Sequence, residues 1–295
     1  MFSGNEIVGG KLPRFTILEG EALRALSGLP SKVARTCITS PPYWRMRDYR
    51  HADQLGRERT AEQYIDKLIT ILMEVYRVLA DDGTLWLNVA DVYQNKQLVG
   101  IPWTLALELK KRGWWWRAVI VWDKASKPES VKDRPTRAHE PILLFAKSSE
   151  YYYDFEALLE PHQSAWALDC IRKAQKSGAT ARREKIFSKD QRRAEPGITR
   201  ADFGVLMNPK GRNRRDVWRI TGAKHRGFHS AVMPQALAEL CIRAGSQEGD
   251  LVLDPFCGTG TSGLAALKLG RKFIGIDLLK RFAVEARQRL SEELS

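Results

Sequence analysis

Residues 250–278 read DLVLDPFCGTGTSGLAALKLGRKFIGIDL, and few folds accommodate such a segment. An apolar run, DLVLD, ends in a loop with two glycines one residue apart. SGLAALKLG then carries helical spacing, and a second apolar run, KFIGID, ends in an acid. Strand, glycine turn, helix, strand and acid form a parallel β-α-β unit. Gly258 and Gly260 allow a tight turn and close approach of a ligand to the backbone. Asp277, at the tip of the second strand, is placed to accept hydrogen bonds from ribose hydroxyls, and Asp254 ends the first strand beside the loop. The segment therefore predicts a nucleoside cofactor.

The same alternation runs through the rest of the chain. FTILEG and ARTCIT read as strands, with the helix EALRALSGL between them. Thr60 and Gln63 suit a capping box, and Tyr64, Leu68, Ile71, Leu72, Val75 and Leu79 follow at helical spacing. TLWLNVA, WWWRAVIVW and PILLFAK read as further strands, and a helix starts near Pro102 and ends before Gly113. QALAELCIRAG is a helix. The expectation is an α/β fold: a Rossmann-like, mostly parallel sheet with helices on both faces. From about Tyr151 to Arg215 the periodicity weakens, which marks an insertion into the sheet domain.

Charge singles out the same region. Between Cys170 and Arg226 there are 17 Lys or Arg against 5 Asp or Glu, leaving 31 against 30 elsewhere in a chain whose net charge is +13. A basic block confined to one segment fits either a solvated insert or a polyanion-binding surface. The four cysteines, at 37, 170, 241 and 257, have no CxxC spacing and no histidine company. They are expected to be reduced thiols, with no metal bound. No stretch has the length of a membrane span and the N-terminus lacks a signal-peptide layout, so a cytoplasmic protein is expected.

At residues 39–44 the strand ARTCIT runs into TSPPYW, where two prolines forbid any continuation of the ladder. The loop DPFCGTGT resembles the S-adenosylmethionine loop of amino-group DNA methyltransferases, and TSPPYW matches their catalytic motif. GTLWLNVADVY, RPTRAHEPILLFAKS and GRNRRDVWRI resemble further blocks. The chain is thus similar to β-class amino DNA methyltransferases, which modify cytosine N4 or adenine N6. The order of motifs, catalytic first and cofactor loop last, is the circularly permuted order of that class.

The resemblance implies roles. Ser40 and the Pro41 carbonyl would accept the hydrogens of an exocyclic amine, freeing its delocalised lone pair to attack the methyl group. The Pro41–Pro42 unit would hold that carbonyl away from the sheet, and Tyr43 would stack on a base flipped out of duplex DNA. Trp44 would line the same pocket. Asp254, Pro255, Phe256, Gly258, Gly260, Thr261 and Asp277 would bind S-adenosyl-L-methionine, with Ser230 near its methionine carboxylate. Glu21 would stand near its adenosine, where family members commonly carry Asp. Cys257 is a small loop residue, since the nucleophile of cytosine-C5 enzymes sits in a Pro-Cys dipeptide that is absent here. Residues 1–150 would form the catalytic half and 216–295 the cofactor-binding half. Residues 151–215 would form the target-recognition region, with Arg212, Arg214 and Arg215 on phosphate or guanine. His139 and Glu140 are read as structural, with help in shaping the pocket as the alternative.

Ser at the first motif position favours cytosine N4, with adenine N6 the alternative. RNA guanine-N2 and protein-glutamine methyltransferases share an (N/S/D)PP(Y/F) loop but usually place the cofactor loop before it. A DNA-binding module on a decayed methyltransferase fold is the non-enzymatic reading. Double-stranded DNA is the expected partner, with association to the nucleoid through it. Members of the class are often dimers, which makes a homodimer a further expectation.

Overall fold

The computed structural model describes residues 13–124, 130–177, 203, 206–222 and 233–295. The chain divides into two compact units, Met1–Asp154 with Asp216–Ser295, and Phe155–Arg215.

The first unit is built on one eight-stranded sheet. Its strands are β1 (Phe15–Glu19), β2 (Ala34–Thr39), β3 (Leu79–Asn88), β6 (Trp115–Asp123), β7 (His139–Ala146), β8 (Val217–Arg219), β9 (Leu251–Asp254) and β10 (Lys272–Asp277). Across the sheet they run β1-β10-β9-β2-β3-β7-β6-β8. Only β7 is antiparallel to its neighbours, so all the other strands point the same way. A separate small hairpin pairs β4 (Tyr93–Gln94) with β5 (Gln97–Leu98).

Side chains alternate across this sheet with the period of two that a pleated strand imposes. Cys37, Leu85, Leu253, Ile274 and Ile276 enter one core together with α1 (Ala22–Ser27), α2 (Ala61–Val78) and α3 (Ile101–Lys111). Thr36, Thr84 and Trp86 face the other way, against α5 (Gln235–Gly245). Phe273 likewise meets α6 (Thr261–Lys268), which packs on α7 (Lys280–Leu294). The α2 stripe of Tyr64, Leu68, Ile71, Leu72 and Val75 is buried throughout, and Thr60 caps the helix by accepting from the Gln63 N–H. Each of these aliphatic side chains contributes about 1.5–3 kcal/mol by leaving water. Two glycine-sized approaches let α5 and α6 come this close. A Cβ on Gly245 would lie 2.7 Å from the Thr36 hydroxyl, and one on Gly263 would lie 2.7 Å from Phe273.

The second unit holds a helix that weak periodicity had hidden, α4 (Ala165–Ser177). Ala167, Cys170, Ile171 and Ala174 form its buried stripe. Here Glu160 pairs with Arg212 and Arg215 through bonds of 3.1 and 3.3 Å, and backbone bridges join Glu160 to Arg212. α7 also had no counterpart in the expected element order. Phe282, Ala283, Ala286 and Leu290 line its buried face. Among the described residues no helix is long and apolar enough to cross a membrane.

Strand order decides where a site forms. From β9 the chain winds through α6 to β10 on one side, and from β2 it winds through α2 to β3 on the other. The two crossovers leave a crevice at the carboxyl ends of β2 and β9, where the loops diverge.

Candidate active site

All the chemistry-bearing groups stand along this one edge of the sheet. β1 leads to Glu21, β2 to Ser40, β3 ends at Asn88, β6 leads to Lys124, β9 ends at Asp254 and β10 at Asp277. Because β7 runs antiparallel, its beginning, with Glu140, reaches the same edge. A cavity of about 240 Å³ opens there.

Asp254 ties the two distant motifs together. It is 5% exposed, and its carboxylate accepts from the Thr39 hydroxyl at 2.7 Å, the Ser262 hydroxyl at 2.6 Å and the Phe256 N–H at 3.0 Å. The strand before the Pro-Pro loop is thus fastened to the glycine loop across 215 residues. Asp277 accepts from the Gly258 N–H at 3.0 Å and the Leu279 N–H at 2.8 Å, fixing the loop against β10. Burial pushes both carboxyls up to about 6, against the hydrogen bonds that pull them down. A folded-state value above the ordinary 3.8 means the native state holds protons the unfolded chain has released. Each group's contribution to stability is therefore greatest below pH 3.8 and is lost as pH rises towards and through 6. Urea unfolding of the wild type against Asp254→Asn, from pH 4.5 to 7.5, is expected to show the wild type losing roughly 2–3 kcal/mol relative to the variant. A difference independent of pH would mean that Asp254 titrates at its ordinary value.

The glycines play separate parts. Gly258 (φ 53°) lines the cavity with Pro255, Phe256, Thr261 and Asp277. Gly260 (φ 81°) does not; a Cβ there would stand 2.7 Å from Leu290 Cδ1 and 3.1 Å from Ala286 Cβ on α7. The close approach that Gly260 permits is therefore to a helix and not to a ligand. Gly260→Ala is expected to destabilise the protein by about 2–4 kcal/mol in urea unfolding, combining left-handed strain with overpacking. A loss below about 1 kcal/mol would show that α7 yields. Glu21 caps α1, its two carboxylate oxygens taking the Leu23 and Arg24 N–H groups, and it also faces the cavity.

Ser40, Pro41, Pro42 and Tyr43 line the same cavity. The fully buried Tyr64 donates to the Pro42 carbonyl at 3.0 Å, so α2 holds the rigid dipeptide in place. Among the described residues no hydrogen bond uses the Pro41 carbonyl. The Tyr43 hydroxyl lies 3.1 Å from Ser40 Oγ, 3.1 Å from Asn88 Oδ1 and 3.0 Å from Glu140 Oε2. Burial, reinforced by the Glu140 charge, raises the Tyr43 phenol well above its ordinary value, so it stays protonated. Lys124 pairs with the other oxygen of Glu140. Asn88 and Lys124 were not singled out from the sequence. Each sits at a strand end inside or beside an apolar run, and that position was the available signal.

One expectation needs correction. Trp44 does not line the cavity: its ring is 2% exposed within the main core, and its indole N–H donates to the Glu58 carbonyl at 3.0 Å. A side chain so enclosed cannot reach DNA. Glu140, read as structural, faces the cavity. Arg212, Arg214 and Arg215 make contacts inside their own unit, with Glu160, the Leu158 carbonyl and Glu160 respectively; the Arg215 side chain is still 65% exposed. Ser230 lies outside the described residues. All four cysteines are free and buried, and burial raises the Cys257 thiol well above its ordinary value, which leaves no thiolate nucleophile beside the loop. Among the described residues no cluster of His, Cys, Asp and Glu could hold a metal ion.

A doubly wound sheet whose switch-point crevice sets an acid-anchored glycine loop against a Ser-Pro-Pro-Tyr loop is the framework of an S-adenosyl-L-methionine-dependent methyltransferase. The match to a family model over residues 34–288 carries this further: the chain belongs to the DNA methylase family of the N6/N4 type. Type II methyltransferase M.SmaI of Serratia marcescens is 35% identical over 315 residues, spanning 97% of this chain and 94% of its own. M.XycI of Xanthomonas campestris pv. cyanopsidis is 37% identical over 310 residues, spanning 95% and 89%. The solved protein TTHA0409 of Thermus thermophilus, complexed with S-adenosyl-L-methionine, is 26% identical with a TM-score of 0.61, covering 95% of this chain and 94% of its own. PvuII DNA methyltransferase, described as cytosine-N4-specific, shares the fold at 18% identity and a TM-score of 0.64, covering 96% and 94%.

The residues present suit that cofactor. Glu21, Asp254 and Asp277 put three carboxylates around one cavity, which favours a sulfonium cation bearing ribose hydroxyls, and Phe256 adds an aromatic wall. When bound, the cofactor supplies an electrophilic methyl group.

Proposed function

We propose that this DNA methyltransferase methylates the exocyclic N4 of cytosine in duplex DNA, at a specific site and after flipping the base out of the stack. The observation that carries the reading is Ser40, which lines one cavity together with Pro41, Asp254 and Asp277. Ser40 and Pro41 take the amine hydrogens, which localises the nitrogen lone pair for in-line attack. Tyr43 provides a face for the extruded base, worth roughly 1–3 kcal/mol against an extrusion cost of a few. Asp277 accepts from the ribose hydroxyls, Glu21 stands near the adenosine, and Asp254, Pro255, Phe256, Gly258 and Thr261 complete the cofactor wall.

The Phe155–Arg215 unit is the target reader in this proposal, since it carries most of the excess positive charge of the chain. Neutralising phosphates, its Lys and Arg side chains give binding that weakens steeply with salt. Association with the nucleoid follows from DNA binding, and dimerisation is testable by light scattering across concentrations.

Nucleoside mass spectrometry of unmethylated DNA incubated with the protein and methyl-labelled S-adenosyl-L-methionine tests the reading. Label in N4-methylcytosine is expected. Label in N6-methyladenine would transfer the same chemistry to adenine. No label in any DNA base would overturn the proposal.

A further inference from the structure

Behind Ser40 lies a buried polar cluster that amine activation by itself does not require. Asn88 is 2% exposed and Glu140 is 9% exposed. The Asn88 amide nitrogen spends both of its protons, one on Glu140 Oε2 at 3.2 Å and one on the Pro141 carbonyl at 3.2 Å. Its carbonyl oxygen is thereby turned towards Tyr43 at 3.1 Å and Ser40 at 3.4 Å, where it can only accept. Glu140 pairs with Lys124 through one carboxylate oxygen and offers the other to Tyr43 and Asn88 as an acceptor.

Two hydroxyl protons therefore face two acceptors, Glu140 Oε2 and Asn88 Oδ1. Tyr43 donates to one of them. Ser40 donates either to Asn88 or to the Tyr43 oxygen, 3.1 Å away. Turning the Tyr43 proton towards Ser40 instead would leave Glu140 Oε2 with the Asn88 N–H alone, and a buried carboxylate is less stable for each donor it loses. The arrangement that gives both buried acceptors a hydroxyl donor, Tyr43 to Glu140 and Ser40 to Asn88, points the Ser40 proton inwards and leaves its lone pairs towards the cavity.

We propose that Glu140 is a positioning and specificity-determining residue: acting through Tyr43 and Asn88, it keeps Ser40 an acceptor towards the bound base, so that the site admits an amino group and rejects an oxo group. This deepens the reading of Ser40 as the amine acceptor and rests on it. An amine presents donors to those lone pairs. The oxo group of uracil, or of hypoxanthine in place of adenine, presents a second acceptor and leaves both oxygens unpaired. A polar site rejects a mispaired analogue far more strongly than an apolar pocket rejects a methylene.

The test uses the full-length protein with a non-reactive cofactor analogue and a duplex carrying the identified target base or its oxo counterpart. Binding to the two duplexes gives a preference ratio. The wild type is expected to favour the amine by about tenfold or more. Glu140→Gln, which can donate to Tyr43 and so free the Ser40 proton to turn outwards, is expected to lose most of that ratio and to lower kcat more than it raises KM. Glu140→Asp keeps an acceptor-only carboxylate and is expected to restore the ratio. A wild-type ratio near one, or a Glu140→Gln variant that keeps the wild-type ratio, would overturn the inference. If Glu140→Gln does not fold, Asn88→Ala replaces it, removing the other inward acceptor; an undiminished ratio there overturns the inference equally. Absence of methyl transfer to DNA by the wild type would instead count against the proposed function, so the two failures are distinguishable.

Discussion

Ser40→Ala is expected to lower kcat by about 10²–10³-fold, the range for removing one preorganised hydrogen-bond partner from a reacting centre. The alanine keeps the Pro-Pro loop, since Tyr64 still holds the Pro42 carbonyl and Asp254 still holds Thr39. It removes the acceptor for one amine hydrogen, together with the Ser40 contacts to Tyr43 and Asn88. The lone pair then stays delocalised into the ring for more of the approach to the methyl carbon. Cofactor affinity should not change, because among the described residues the Ser40 hydroxyl bonds to Tyr43 and Asn88 and not to the glycine loop or Asp277. Single-turnover rates with saturating cofactor, set beside equilibrium cofactor binding, separate the two quantities. Weakened cofactor binding at an unchanged rate would place Ser40 on the cofactor side and remove it from the chemistry.

Asp277→Ala is expected to weaken cofactor binding by about 100-fold or more. Two losses combine. The ribose hydroxyls lose a charged acceptor, worth roughly 1.5–3 kcal/mol per hydrogen bond. The Gly258 and Leu279 N–H groups lose theirs too, so the glycine loop is no longer held at the strand end. Protonation should imitate part of this in the wild type. With Asp277 raised to about 6, cofactor affinity is expected to be level above that pH and to fall as pH drops through it. Calorimetric titration between pH 5 and 8 reads both effects. An alanine variant with wild-type affinity, or a flat profile, would mean that the ribose is held elsewhere.

Much of the framework can be read locally. KFIGID and QALAELCIRAG occupy β10 and α5 residue for residue, because apolar spacing and bounding turns act over a few positions. The residues of DPFCGTGT other than Gly260 face one cavity with Ser40 and Tyr43, and the switch in strand order is what brings them there. The helices α4 and α7 carried readable apolar stripes, but dense charge on their outer faces obscured them.

Trp44 and Gly260 mark where local reading fails. An aromatic ring beyond a Pro-Pro break looks exposed until the Glu58 carbonyl and the core close round it. A glycine in a cofactor loop looks reserved for a ligand until a helix from the end of the chain packs against it.

The sequence by itself determined the class of fold and where the Pro-Pro and glycine loops lie, since both rest on short-range patterns: periodicity, proline rigidity and glycine freedom. Only the tertiary structure decided which polar groups stand behind Ser40. Asn88, Lys124 and Glu140 come from β3, from just beyond β6 and from β7, and they meet because β7 runs antiparallel between the other two. That pairing sets Asn88 beside Glu140, 52 residues further along the chain, and is stabilised by burial of whole strands. No spacing rule along the chain reports it.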